Sequence, residues 1–121
     1  MNRFHPISET IINNSVEETL GKMISDHFSL SLNRQKQKNL GVILTNFMDF
    51  GDYMNIAIAL KKENVNMNEI LQTVGKILSK TDLSEIEKEI EDFVGEEEFH
   101  VYRDIIRKLL TRHSSKIVKN N

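Results

Sequence analysis

The residues with the best claim to metal chemistry are Glu96, Glu97, His100 and Asp104. Glu97 and His100 form a Glu-x-x-His step, which on a helix puts a carboxylate and an imidazole on one face. Di-iron bundles use two such steps plus two further glutamates from facing helices. This chain has no second step, and its remaining histidines, His5, His27 and His113, share no ligand spacing. It also contains no cysteine, which excludes a thiolate metal site, a thiol nucleophile and a disulfide framework.

Other chemistries find no better footing. There is no Gly-x-Ser-x-Gly elbow, and no serine stands where the spacing predicts a neighbouring base. The five glycines lie ten or more residues apart, which leaves neither a phosphate loop nor a dinucleotide fingerprint. Most of the carboxylates between Glu85 and Glu98 are spaced to lie on a solvated helix face, which does not make an acid–base pair. The sequence therefore predicts no catalytic residue, no cofactor, no metal and no small-molecule substrate, and the chain is not expected to be an enzyme.

The elements that would have to position any site are helices. Met67, Ile70, Leu71, Val74, Ile77 and Leu78 line one helical face, and similar stripes recur from Val16 to Leu110. Ser15 and Glu18 form a capping-box pair before a first helix running to about Phe28, with Val16, Leu20, Met23, Ile24 and Phe28 on one side. A second helix is expected from about Arg34 to Phe50, carrying Leu40, Ile43, Leu44, Phe47 and Met48 inward and ended by Gly51-Asp52. Tyr53 to Glu63 alternates like a strand at Ile56, Ile58 and Leu60, yet a lone strand would leave its backbone groups unpaired, so it is read as helix. Asn66 with Glu69 caps a helix over Met67–Lys80, and Asp82 with Glu85 repeats the device before inward-facing Leu83, Ile86, Ile90, Phe93 and Val94. Gly95 separates a last helix in which Phe99, Tyr102, Ile106, Leu109 and Leu110 face inward, with fraying after His113.

From Leu40 to Leu60, fourteen of twenty-one residues are apolar, the mark of a central element wrapped by others. The expected fold is all-α, a compact single-domain bundle of five or six short amphipathic helices. Residues 1–14 are expected to form an N-terminal arm, 15–113 the helical domain and 114–121 a basic tail. Leu40-Gly41-Val42-Ile43-Leu44 echoes Val74-Gly75-Lys76-Ile77-Leu78 at a separation of 34. No closing proline or recurring aromatic accompanies the echo, so it is not read as a repeat.

The longest apolar run, Ile56 to Leu60, is far short of the ~20 residues that span a bilayer. No charged leader with an apolar stretch opens the chain, and the absence of cysteine suits a reducing compartment, so a cytoplasmic protein is expected, in its own cell or a host's.

Two readings of function follow. In the first, the chain is a small helical protein–protein interaction protein: a regulator, adaptor, inhibitor or chaperone-like factor. Flexible methionines beside aromatics at Phe47, Met48, Phe50, Tyr53 and Met54 make an adaptable contact surface for a partner helix or a like subunit, homodimerisation included. Between Asp82 and Glu98, nine acidic residues stand against the single base Lys88, and Glu87 and Glu91 represent this acidic face at the partner surface. In the alternative, the chain is a helix-turn-helix DNA-binding regulator. Ser25, Ser29, Leu30 and Ser31 occupy the small, glycine-like, apolar and helix-start positions of such a turn. Arg34, Lys36, Gln37 and Lys38 would then meet phosphates and base edges, aided by the basic end of the chain. The inward positions of that recognition helix would be Gln35 and Lys38, both polar, which leaves the motif half satisfied.

Overall fold

A computed structural model describes residues 15–119, with side chains for residues 15–112. Six helices follow one another and there is no strand among the described residues: α1 Val16–His27, α2 Arg34–Thr45, α3 Phe50–Leu60, α4 Met67–Leu78, α5 Leu83–Val94 and α6 Glu96–Lys119. The predicted arm, residues 1–14, lies outside the described residues. The backbone of α6 stays helical through Lys119, past the expected end at His113.

Local chemistry sets most boundaries. At α1, Ser15 Oγ accepts from the Glu18 backbone N–H at 3.1 Å while the Glu18 carboxylate accepts from Ser15 N–H at 3.4 Å. This reciprocal box satisfies two otherwise unpaired donors. Helix α1 ends with Ser29 in the left-handed region, φ 55°. Ser29 N–H donates to Asp26 C=O at 3.2 Å and Leu30 N–H to Ser25 C=O at 2.8 Å, the paired bonds of a Schellman cap. Asn33 then caps α2 through Lys36 N–H at 2.8 Å. Helix α2 therefore starts at Arg34, not at Ser31.

Two expected boundaries are corrected. Helix α2 stops at Thr45, where Phe47 and Met48 N–H groups bond three residues back to Leu44 and Thr45 and wind the chain out of the helix. Gly51-Asp52 does not end it. Asp49 accepts from Asp52 N–H at 2.7 Å and Asp52 returns the bond to Asp49 N–H at 3.4 Å, so these residues open α3. Asp82 makes no side-chain cap; its backbone carbonyl receives Glu85 and Ile86 N–H instead.

The helices form two sets around one core. Helices α1 and α2 pack intimately with α3 laid against α1, and α4 and α5 both pack on α6, with α2 touching α5 and α3 touching α4. The core is built from Leu20 and Ile24 of α1, Leu40, Ile43 and Leu44 of α2, Ile56 of α3, Ile70, Leu71, Val74 and Leu78 of α4, Ile86 and Ile90 of α5, and Tyr102, Ile105, Ile106 and Leu109 of α6. Leu40 to Leu60 is not the central element. Helix α3 buries only Ile56, whereas α4 buries six residues. Leu83 and Phe93, expected inward, are 38% and 49% exposed, because Ile86 and Ile90 already fill the stripe that meets α2 and α6. Asn39 of α2 donates to the buried Tyr102 hydroxyl of α6 at 3.2 Å and so ties the two sets, while Arg107 to Glu87 at 2.9 Å and Arg112 to Asn68 at 2.8 Å join α6 to its neighbours in the second set.

Helices α1 and α2 touch through their backbones. A Cβ on Gly21 would fall inside the Gln37 carbonyl, and one on Gly41 inside the Glu17 carbonyl, so Glu17 faces 41 while 21 faces 37 and the two helices run antiparallel. Alanine at either site gains up to about 1 kcal/mol of helix propensity but forces the pair apart, and overpacking typically costs roughly 1–3 kcal/mol. Gly21→Ala and Gly41→Ala are expected to lower the chemical denaturation midpoint. Gly51→Ala, whose Cβ would meet only Asp49 Oδ1 at 3.4 Å, is expected to leave it unchanged or raise it. Equal effects at all three positions would contradict the close crossing.

Candidate interaction surface

Helix α3 is apolar on the side that faces away from the core. Phe50, Met54 and Ile58 recur every fourth residue and so share one face; they are 80%, 41% and 56% exposed. Ile56 points the opposite way, into the core. The orientation of α3 is fixed by Tyr53, whose hydroxyl donates to the Glu17 carboxylate of α1 at 3.2 Å.

A second feature lies between α2 and α5. Val42, Ile43, Phe47 and Phe93 wall a groove of about 230 Å³, rimmed by Asn46, Glu89 and Asp92. Asn46 donates to Glu89 across it at 3.3 Å. The volume is below the roughly 300–1,000 Å³ of small-molecule pockets. Among the residues predicted for partner binding, Phe50 and Met54 are free on the surface, while Phe47 and Met48 are half-buried against the core. Glu87 is engaged by Arg107, and Glu91 is exposed. The acids that border the groove are Glu89 and Asp92 instead. Helical spacing separates them from Glu87 and Glu91: residues 89, 92 and 93 share the face toward α2, and 87 turns toward α6.

The basic residues of the alternative reading are divided. Arg34 and Lys38 are exposed, while Lys36 and Gln37 are half-buried, and Gln37 donates to the Leu32 carbonyl at 3.2 Å. Arg34 and Gln37 border an open cleft with Glu18, Thr19 and Lys22 of α1, and Lys36 lies on the other side of α2. Ser29 does adopt the left-handed conformation that the glycine position of such a turn requires, but the turn spans residues 28–33, longer than the 3–4 residues usual for the motif. Glu96, Glu97 and His100 lie exposed at the start of α6 and Asp104 pairs with Arg103 at 3.3 Å. Among the described residues no three His, Cys, Asp or Glu side chains gather to hold a metal, and no helix is long and apolar enough to cross a membrane.

No family model, curated protein or solved structure matches the chain. The fold defines an all-α bundle of short helices with an outward apolar helix face.

Both tyrosines hold their protons more tightly than usual. Burial pushes the Tyr53 phenol up first, and the Glu17 charge and hydrogen bond add to it. Burial also raises Tyr102, partly countered by the Asn39 bond and reinforced by Glu98. The unfolded phenols ionise near pH ~10, so their contribution to stability is complete below that pH and is lost as pH rises through the folded values. Stability is expected to fall above pH ~10, and less steeply in Tyr102→Phe. An unchanged alkaline slope in that variant, followed by phenolate absorbance against denaturant, would sink the assignment.

Proposed function

We propose that the chain is a small helical protein–protein interaction protein, a regulator, adaptor or inhibitor that acts by contact and not by catalysis. The observation that carries this reading is the outward stripe of Phe50, Met54 and Ile58 on a helix whose other side already serves the core. Covering Phe50 stabilises a complex by up to roughly 1.5–3 kcal/mol before association costs, and the partly covered Met54 and Ile58 add less, whereas a chain that works alone gains nothing from exposing them. The groove between α2 and α5 supplies a second contact. Its apolar walls and the acidic rim of Glu89 and Asp92 suit an apolar side chain flanked by lysine or arginine on the partner.

Phe93→Ser and Phe50→Ser touch exposed side chains, so they are expected to preserve the fold while removing cellular associations detected by in-cell cross-linking. If both variants keep every association of the unchanged chain, the reading is lost.

The DNA-binding alternative draws support from the left-handed Ser29 and the exposed Arg34 and Lys38. The division of the basic residues weighs against it. Anisotropy of mixed-sequence duplex DNA is expected to show no micromolar binding at low salt. Binding that weakens steeply with salt and vanishes in Arg34→Ala/Lys36→Ala/Lys38→Ala would reverse the order of the two readings.

A further inference from the structure

We propose that the groove between α2 and α5 is filled by this chain's own N-terminal segment, with Phe4 between its walls and Arg3 toward its acidic rim. For its consequence the proposal rests on the interaction reading: a partner of the groove must first displace the segment.

Charge, size and reach name this occupant. The groove offers apolar walls at Val42, Ile43, Phe47 and Phe93 and two carboxylates, Glu89 and Asp92. Both acids are exposed, and neither has an ion-pair partner among the described residues. Glu89 accepts only the amide of Asn46. The complementary ligand is an apolar side chain beside a cation. Residues 1–14 contain one such step, Arg3-Phe4-His5, and a single acid, Glu9. A cavity of roughly 150 Å³ holds a benzene ring, so a groove of about 230 Å³ has room for one phenyl ring.

The point of entry favours the same segment. In the antiparallel crossing, Gly21 meets Gln37 and Gly41 meets Glu17. That register points the chain preceding Ser15 at Thr45, the last residue of α2, and Asn46 and Phe47 of the groove follow directly. Ten residues separate Ser15 from Phe4 and span up to about 33–36 Å, whereas α2 is only about 10–12 Å across. The basic end of the chain, Lys116-Ile117-Val118-Lys119, has similar chemistry but cannot reach the groove of its own molecule. It continues α6, which starts three residues after Phe93 and carries residue 116 roughly 30 Å away.

The absence of cysteine makes the test direct, because a pair of introduced thiols reports one proximity. In the full chain at low micromolar concentration under mild oxidation, Asn2→Cys/Asn46→Cys is expected to close a disulfide within one molecule. It should close at least about tenfold faster than Asn2→Cys/Met54→Cys. Met54 is the comparison because it is exposed and its helix is seated beside Glu17 through Tyr53. Adding Phe4→Ser, or Glu89→Lys/Asp92→Lys, is expected to remove the advantage. Equal closure of the two pairs overturns the proposal, as does an advantage that survives both changes. Faster closure on Met54 overturns it and seats the segment on α3. Links between molecules in place of links within one overturn it too, and give the groove to another copy. The interaction reading stands apart from these outcomes. A chain that fails the thiol test but loses a cellular association through Phe93→Ser keeps that reading. One that passes, while Phe93→Ser and Phe50→Ser lose no association, keeps the docked segment without it.

Discussion

The contact on which the rest of the bundle depends is the bare backbone crossing of α1 and α2. With no side chain at Gly21 or Gly41, two helices meet carbonyl against Cα, and a Cβ at either position would collide with the backbone opposite. That proximity sets Leu20 and Ile24 beside Leu40 and Leu44 as one wall of the core. It also fixes Glu17, whose carbonyl lies against Gly41 and whose carboxylate receives the Tyr53 hydroxyl. One residue thus joins the crossing to the seat of α3, so the attitude of the outward stripe is inherited from a pair of glycines on other helices.

The charge blocks resolve in a related way. Helix α5 is acidic and α6 is basic beyond its first turn, and they lie against each other with Glu87 and Arg107 in contact. Part of the segregation seen along the chain is therefore neutralised within the fold. Glu89 and Asp92 lie on the face turned from α6, beside apolar walls where a positive group would find both charge and contact area. Being exposed, such charges steer encounter and orientation more than they add affinity.

The sequence disclosed the fold where periodicity was strong and caps were chemically complete. The stripe from Met67 to Leu78 and the Ser15–Glu18 box are local signals, and both appear in place. The Leu40–Leu60 stretch misled because counting apolar residues merges two helices with different duties: α2 spends its apolar residues mainly on the core, and α3 leaves Phe50, Met54 and Ile58 outside. The break between them was written in Asp49 and Asp52, a capping box made of two aspartates where a Ser or Thr with Glu is the usual signature. Leu83 and Phe93 obeyed the spacing of their stripe but not its width, which only the neighbouring helices decide. Of the candidate site, Phe50 and Met54 were readable as an apolar excess. The groove was not, since Val42, Phe47 and Phe93 meet only through the packing of α2 on α5, and no local pattern encodes that approach.

The chain has two tyrosines and no tryptophan, and the fold places them in different mechanical settings. Tyr102 is sealed in the core against Asn39, whereas Tyr53 bridges α3 to the Glu17 carboxylate at the edge. The molecule therefore carries its own pair of optical reporters, one for the integrity of the interior and one for the attachment of α3. Their emission, separated by replacing either with phenylalanine, distinguishes detachment of that helix from collapse of the whole bundle without any added dye.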